Sequence, residues 1–350
     1  MTSSDLNAIA RALVAPGKGI LAADESAPTI KKRFDSIGVE STEDNRRDYR
    51  EMLFTAPGAE EFISGVILFD ETLRQNAKSG GRLSAILESK GVIPGIKVDK
   101  GAKALAGHDG EKVTEGLDGL RERLAEYAEL GAKFAKWRAV ITITDSLPSR
   151  TCIEVNAHGL ARYAALCQEA GIVPIVEPEV LMDGSHTIER SEAVTGETLN
   201  EVFEELHRQG VSLEGMLLKP NMVLSGYDCA TQASVEEVAE ATVRTFERFV
   251  PAAVPGIVFL SGGQSDTVAS AHLSAMNRLD ASRRPWQLSF SYGRALQAPS
   301  LKAWSGKPEN VGAGQAAYLH RAKCNSAARS GAYDASMEQG ADSVKLVSQD

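Results

Sequence analysis

Short apolar runs alternate with stretches of helical period from one end of the chain to the other. The runs lie at 19–23, 65–69, 95–98, 134–141, 173–176, 216–218, 257–260 and 288–290. They are continuous rather than alternating, which predicts strands buried on both faces. Between them, apolar positions recur three and four apart at 29–37, 116–130, 154–169, 195–208, 235–250 and 266–279, which predicts amphipathic helices. Thr195 and Ser234 each precede a Glu in the manner of helix N-caps. Repeated strand-then-helix with right-handed crossovers implies a parallel sheet. Eight repeats closing on themselves give an α/β fold, a single-domain (β/α)8 TIM barrel; an open doubly wound sheet is the alternative.

Other stretches carry weaker patterns. Leu6, Ile9, Ala10 and Leu13 share one face of a short N-terminal helix. The charged stretch 41–49 reads as a solvated helix or loop. Residues 325–350 are rich in Ser, Ala, Gly and charge, which predicts a mobile tail behind a domain spanning 1–324. Gly312-Ala-Gly314-Gln-Ala-Ala317 matches a relaxed dinucleotide fingerprint, but no strand precedes it, so it reads as a loop entering a C-terminal helix.

Composition narrows the function. The chain has 350 residues, 43% of them hydrophobic, and a net charge of −9. That balance argues against a general nucleic-acid or membrane-surface binder. The four cysteines contain no CxxC and read as reduced thiols, and the six histidines show no paired metal-ligand spacing. No signal-peptide core opens the chain, so the expectation is a cytoplasmic protein without a cofactor or metal.

The chemistry gathers at the strand ends, where active sites of such barrels form. In order they carry Asp24, Lys97 with Asp99, Lys136 with Arg138, Glu177 with Glu179, Lys219, Ser261-Gly262-Gly263, and Ser291 followed by Arg294. Residues two apart on a strand share a face. Each pair alone reads as a rim salt bridge. The whole set crowds charge into one mouth, which calls for a ligand or a reaction. Lys219 ends an apolar run and precedes Pro220, placing an amine at the rim of a buried sheet. Lost hydration and neighbouring cations there favour the free base, a nucleophile toward a carbonyl. Ser261-Gly262-Gly263 and Arg294 follow strands seven and eight, the usual phosphate site of the fold. Lys32 and Arg33 offer a second anion site. Two such sites around a nucleophilic lysine point to a bis-phosphorylated carbonyl compound.

Eight motifs in register resemble class I fructose-bisphosphate aldolase. They are Leu21-Ala-Ala-Asp24-Glu-Ser, Gly65-Val-Ile-Leu-Phe, Gly95-Ile-Lys97-Val-Asp-Lys-Gly, Phe134-Ala-Lys136-Trp-Arg138, Ile175-Val-Glu177-Pro-Glu179, Leu217-Leu-Lys219-Pro-Asn-Met, Phe259-Leu-Ser261-Gly-Gly-Gln-Ser and Ser291-Tyr-Gly-Arg294-Ala-Leu. The resemblance implies a Schiff base between Lys219 and fructose 1,6-bisphosphate. It also implies Glu177 as general acid/base, Asp24 as acceptor of the C4-hydroxyl proton, Lys136 as a neighbouring charge and Glu179 as an orienting group. Ser261, Gly262, Ser291 and Arg294 would hold one phosphate. Lys32, Arg33 and Lys97 would serve the other, with Arg46 and Arg138 as further members. A metal-independent, glycolytic, cytoplasmic homotetramer is the family norm. Another Schiff-base aldolase or a transaldolase, and a non-catalytic phosphosugar-binding barrel, are the alternative functions. Family members from animals end in a tyrosine that assists enamine protonation; this chain ends Val347-Ser348-Gln349-Asp350, with Tyr333 upstream.

Overall fold

The computed structural model describes residues 3–343. Eight parallel strands close into a barrel: β1 Gly19–Ala23, β2 Ile63–Leu68, β3 Ile93–Lys97, β4 Phe134–Ile141, β5 Val173–Val180, β6 Leu217–Leu218, β7 Gly256–Phe259 and β8 Gln287–Tyr292. Each pairs with its chain neighbours, and β1 closes the ring against β8. The continuous apolar runs are explained by this topology: β1, β2, β5, β6 and β7 are buried at every position. Helices cover the outside of the barrel, so both strand faces meet apolar side chains. No helix among the described residues is long and apolar enough to cross a membrane.

The N-terminal end of the barrel is closed by the helix Ser3–Leu13. Its Leu6, Ala10 and Leu13 pack with Ile20, Ile67, Phe134, Val173, Ile175, Leu217 and Val258, while Ile9 lies partly buried at the edge. The amphipathic face read in the sequence is therefore the floor of the barrel.

Several boundaries differ from the sequence reading, each for a local reason. The helix Ile188–Arg208 starts seven residues before Thr195, because Thr187 is its N-cap and accepts from the Arg190 amide. Thr195 sits buried in mid-helix, where its hydroxyl accepts from the Asn221 side chain at 3.1 Å. Asn221 in turn accepts from the Val180 amide at 3.0 Å, tying the turn after Lys219 to β5. Ser234 caps as expected, with Glu237 completing the capping box. The 41–49 stretch enters the helix Glu43–Thr55, capped by Thr42, and buries Tyr49 and Arg50.

Gly312 and Gly314 lie inside the helix Val311–Arg329 rather than in a loop before it. A Cβ on Gly314 would come within 2.5 Å of Met52 Sδ, so this glycine lets two helices approach closely. The same helix carries residues 325–329, which the composition had assigned to the tail. Asn325 is fully buried, and Arg329 donates to the Val14 carbonyl at 2.5 Å. Residues 344–350 of the expected tail lie outside the described residues. A short hairpin of Ala102–Ala104 and Lys112–Thr114 follows β3 and had no sequence signal, since its first strand is mostly exposed.

Candidate active site

The C-terminal ends of the strands surround one open cavity of about 1510 Å³. Asp24, Lys97, Lys136, Arg138, Glu177, Glu179 and Lys219 line it, as do Ser261, Gly262, Gly263, Ser291, Arg294, Lys32 and Arg33. The chain puts them there by strand phase. Lys136 and Arg138 are two apart on β4, and Glu177 and Glu179 two apart on β5, so each pair faces the barrel axis. Lys219 follows β6 directly, its amide still donating to Val176 at 2.8 Å. Pro220 has no amide to continue the ladder, and the strand ends there.

At the centre stands Glu177, 3% exposed between two buried lysines. Its Oε1 lies 3.4 Å from Lys219 Nζ and its Oε2 3.5 Å from Lys136 Nζ. Among the described residues Oε2 has no hydrogen-bond partner, so this buried carboxylate keeps an open acceptor. Lys136 Nζ bonds Asp24 Oδ2 at 2.7 Å. Burial opposes the charge on both partners. For Asp24, the attraction of Lys136, with Lys219 and Lys97 behind it, outweighs burial and holds the carboxyl well below the usual range. For Lys136, Asp24, Glu177 and Asp99 outweigh burial and hold the ammonium above the ordinary lysine range. Each partner thus favours the charged form of the other. Glu179 differs: burial pushes it up, Arg138 pulls it down, Glu177 pushes further, and the net effect is upward. Its Oε2 accepts from Arg138 Nε.

The loops after β7 and β8 frame one side of the cavity as a cradle. Gly262 and Gly263 have φ of +57° and +101°, a left-handed backbone that suits glycine. A Cβ on Gly263 would reach within 2.9 Å of Arg294 Nη2 and within 3.4 Å of the Tyr227 hydroxyl. Ser291 Oγ is buried without a hydrogen-bond partner among the described residues. An anion in the cradle would meet that hydroxyl and the Arg294 guanidinium beside Gly263.

Across the mouth the cations are more committed. Lys97 Nζ bonds Asp99 Oδ1 at 2.6 Å, and Arg33 pairs with Glu25. Arg33 also borders the β8 turn, since its Nη2 would lie 3.5 Å from a Cβ on Gly293. Lys32 is exposed at the rim. Arg46 stands apart: it does not line the cavity, and its guanidinium forks onto both oxygens of Glu71 at 2.8 and 2.6 Å. A bidentate pair of this kind leaves little capacity for a second anion.

Sequence reasoning missed four contributors. Glu25 accepts from Gln297 Nε2 at 2.8 Å besides Arg33, and buried Arg50 lies 3.7 Å from its Oε2. Ser26 and Thr29 present hydroxyls to the cavity at the start of the helix Ala27–Asp35. Tyr227 donates to the Gly262 carbonyl at 2.9 Å from a loop with no pattern of its own. Glu25 and Ser26 alone had a signal, their place directly after Asp24 in the first motif.

Comparison with known proteins gives the family of the chain. A family model described as fructose-bisphosphate aldolase class-I matches residues 5–350. A probable fructose-bisphosphate aldolase class 1 of Xanthomonas campestris is 60% identical over 305 residues, covering 87% of this chain and 91% of that one. The fructose-bisphosphate aldolase of Dictyostelium discoideum is 53% identical over 351 residues, covering 99% and 98%. Among solved structures, the fructose-bisphosphate aldolase of Plasmodium falciparum, in a ternary complex with TRAP and a small-molecule inhibitor, superposes with a TM-score of 0.93. It is 51% identical and the match covers 95% of each chain. The chain belongs to the class I fructose-bisphosphate aldolase family.

Proposed function

We propose that this chain cleaves fructose 1,6-bisphosphate reversibly to dihydroxyacetone phosphate and glyceraldehyde 3-phosphate through a Schiff base on Lys219. The reading rests above all on Glu177, whose two oxygens face Lys219 and Lys136 and whose Oε2 accepts no hydrogen bond among the described residues. The free amine of Lys219 adds to the C2 ketone. Glu177 protonates the carbinolamine hydroxyl, which leaves as water. The resulting iminium draws electrons from the C3–C4 bond. Asp24, ionised beside Lys136, takes the C4-hydroxyl proton as that bond breaks, and the electron pair enters the enamine. Glyceraldehyde 3-phosphate departs. Protonation at C3 and hydrolysis of the imine then release dihydroxyacetone phosphate. Glu179 and Arg138 hold each other and fence the site beside Glu177. The cradle of Ser261, Gly262, Gly263, Ser291 and Arg294 binds one phosphate, and Lys32, Arg33 and Lys97 serve the other. We place the enzyme in the cytoplasm, in glycolysis, as a homotetramer.

Borohydride reduction with dihydroxyacetone phosphate, followed by peptide mass spectrometry, should label Lys219; a label on another lysine, or none, rejects the reading. In Asp24→Asn the same trapping should persist while cleavage slows by about 10²–10³. Undiminished cleavage in that variant removes Asp24 from the proton transfer.

A further inference from the structure

Outside the cavity, three side chains of metal-ligand type meet from two segments. His320 and Cys324 stand one turn apart on the helix Val311–Arg329, and Glu338 reaches them from the segment Ala335–Ser343. Cys324 Sγ lies 3.6 Å from His320 Nε2, and His320 Nε2 lies 3.7 Å from Glu338 Oε2. All three ligand atoms fall within 4.8 Å of one another. Around a tetrahedral zinc ion, with sulfur at about 2.3 Å and nitrogen or oxygen at about 2.0–2.2 Å, neighbouring ligand atoms stand roughly 3.4–3.6 Å apart. Two of the three edges are therefore close to tetrahedral lengths as they stand.

The surroundings fit the same purpose. Glu338 Oε1 is occupied, accepting from Arg321 Nη1 at 2.5 Å and from the Tyr333 hydroxyl at 2.8 Å. That fixes the carboxylate and leaves Oε2 toward His320, the outer support that metal-binding carboxylates need. Cys324 is fully buried, while the His320 and Glu338 side chains are about one-quarter exposed, which leaves an entry path. None of the three lines the catalytic cavity.

We propose that His320 Nε2, Cys324 Sγ and Glu338 Oε2 bind a divalent cation of the zinc class, with water as the fourth ligand. Cys324 binds as thiolate, its proton passing to solvent, and His320 binds neutral with its proton on Nδ1. The thiolate and carboxylate balance the ion's two charges. The bound ion ties the segment 335–343 to the last helix.

Chelator-treated full-length chain titrated with Co²⁺ tests the site. One equivalent per chain should produce a thiolate-to-cobalt charge-transfer band that Zn²⁺ bleaches. Cys324→Ser should lose the band, His320→Asn should weaken binding by at least about tenfold, and Cys229→Ser should leave both unchanged. Absence of the band in the wild-type chain, or its survival in Cys324→Ser, overturns the site. Bound Zn²⁺ should also slow proteolysis within 330–343; an unchanged rate overturns the tether.

Discussion

The two ends of the barrel are buried to the same depth and filled by opposite means. At the floor, Leu13, Phe134 and Val258 are fully buried, and the helix Ser3–Leu13 seals them. At the mouth, Lys219, Lys136 and Glu177 are 4%, 4% and 3% exposed. The floor is held by shape: strand glycines such as Gly65, Gly95 and Gly256 stand where a methyl group would run into Leu13, Phe134 or Val14. The mouth is held by charge, with each buried ion facing a partner and open acceptors left at Glu177 and Ser291. Apolar packing of this kind contributes to stability at modest cost. Buried ions do not, because desolvation offsets much of their mutual attraction. One end therefore keeps the barrel folded, and the other is arranged for a reaction.

Lys219→Met puts that division to its hardest test. It should abolish borohydride trapping and lower cleavage by about four orders of magnitude or more. Its thermal midpoint should stay within a few degrees of wild type, since Glu177 keeps Lys136. A collapse in stability would mean that the mouth also carries the fold. The reverse change is Gly95→Ala at the floor, where the new methyl overlaps the Phe134 ring. Overpacking there should cost about 3 kcal/mol in urea denaturation, with turnover per folded molecule unchanged. A variant as stable as wild type would show that Phe134 has room to yield.

The contrast also explains what the sequence could and could not show. Strands buried on both faces wrote themselves as eight apolar runs, with Asp24 and Lys219 just past the strand ends and Lys136 and Glu177 within the strands, legible because strand phase is local. What needed the third dimension stayed hidden. Thr195 looked like a cap, yet its hydroxyl serves Asn221 in the turn beyond Lys219. Arg46 looked free for an anion, yet Glu71 lies 25 residues away in sequence and 2.6 Å away in space. Glu25, Gln297 and Arg50 form one buried network from three distant segments, which no spacing announces. Gly314 read as part of a loop entering the last helix, and only its neighbour Met52 reveals a helix contact.

The smallest effect sharpens the comparison from beneath the anion cradle. His272 is buried in the helix Asp266–Arg278, and its Nδ1 lies 2.6 Å from Gln264 Oε1. Gln264 Nε2 donates to the Ser261 carbonyl at 3.0 Å, so this pair supports the cradle from below. Because Gln264 presents an oxygen, Nδ1 carries the proton and the neutral ring fits the site. Burial, opposed only by Glu236, lowers the imidazole from 6.5 to about 4. The unfolded chain therefore binds this proton more tightly than the folded one. The contribution is fully present above pH 6.5 and is lost progressively as pH falls toward 4. Between pH 7.5 and 4.5 wild type should lose about 2 kcal/mol of stability that His272→Gln does not lose. Urea denaturation of both proteins at the two pH values measures it. Parallel losses would place the acid sensitivity elsewhere, and the cradle would then owe its shape to Gln264 and the glycine turn alone.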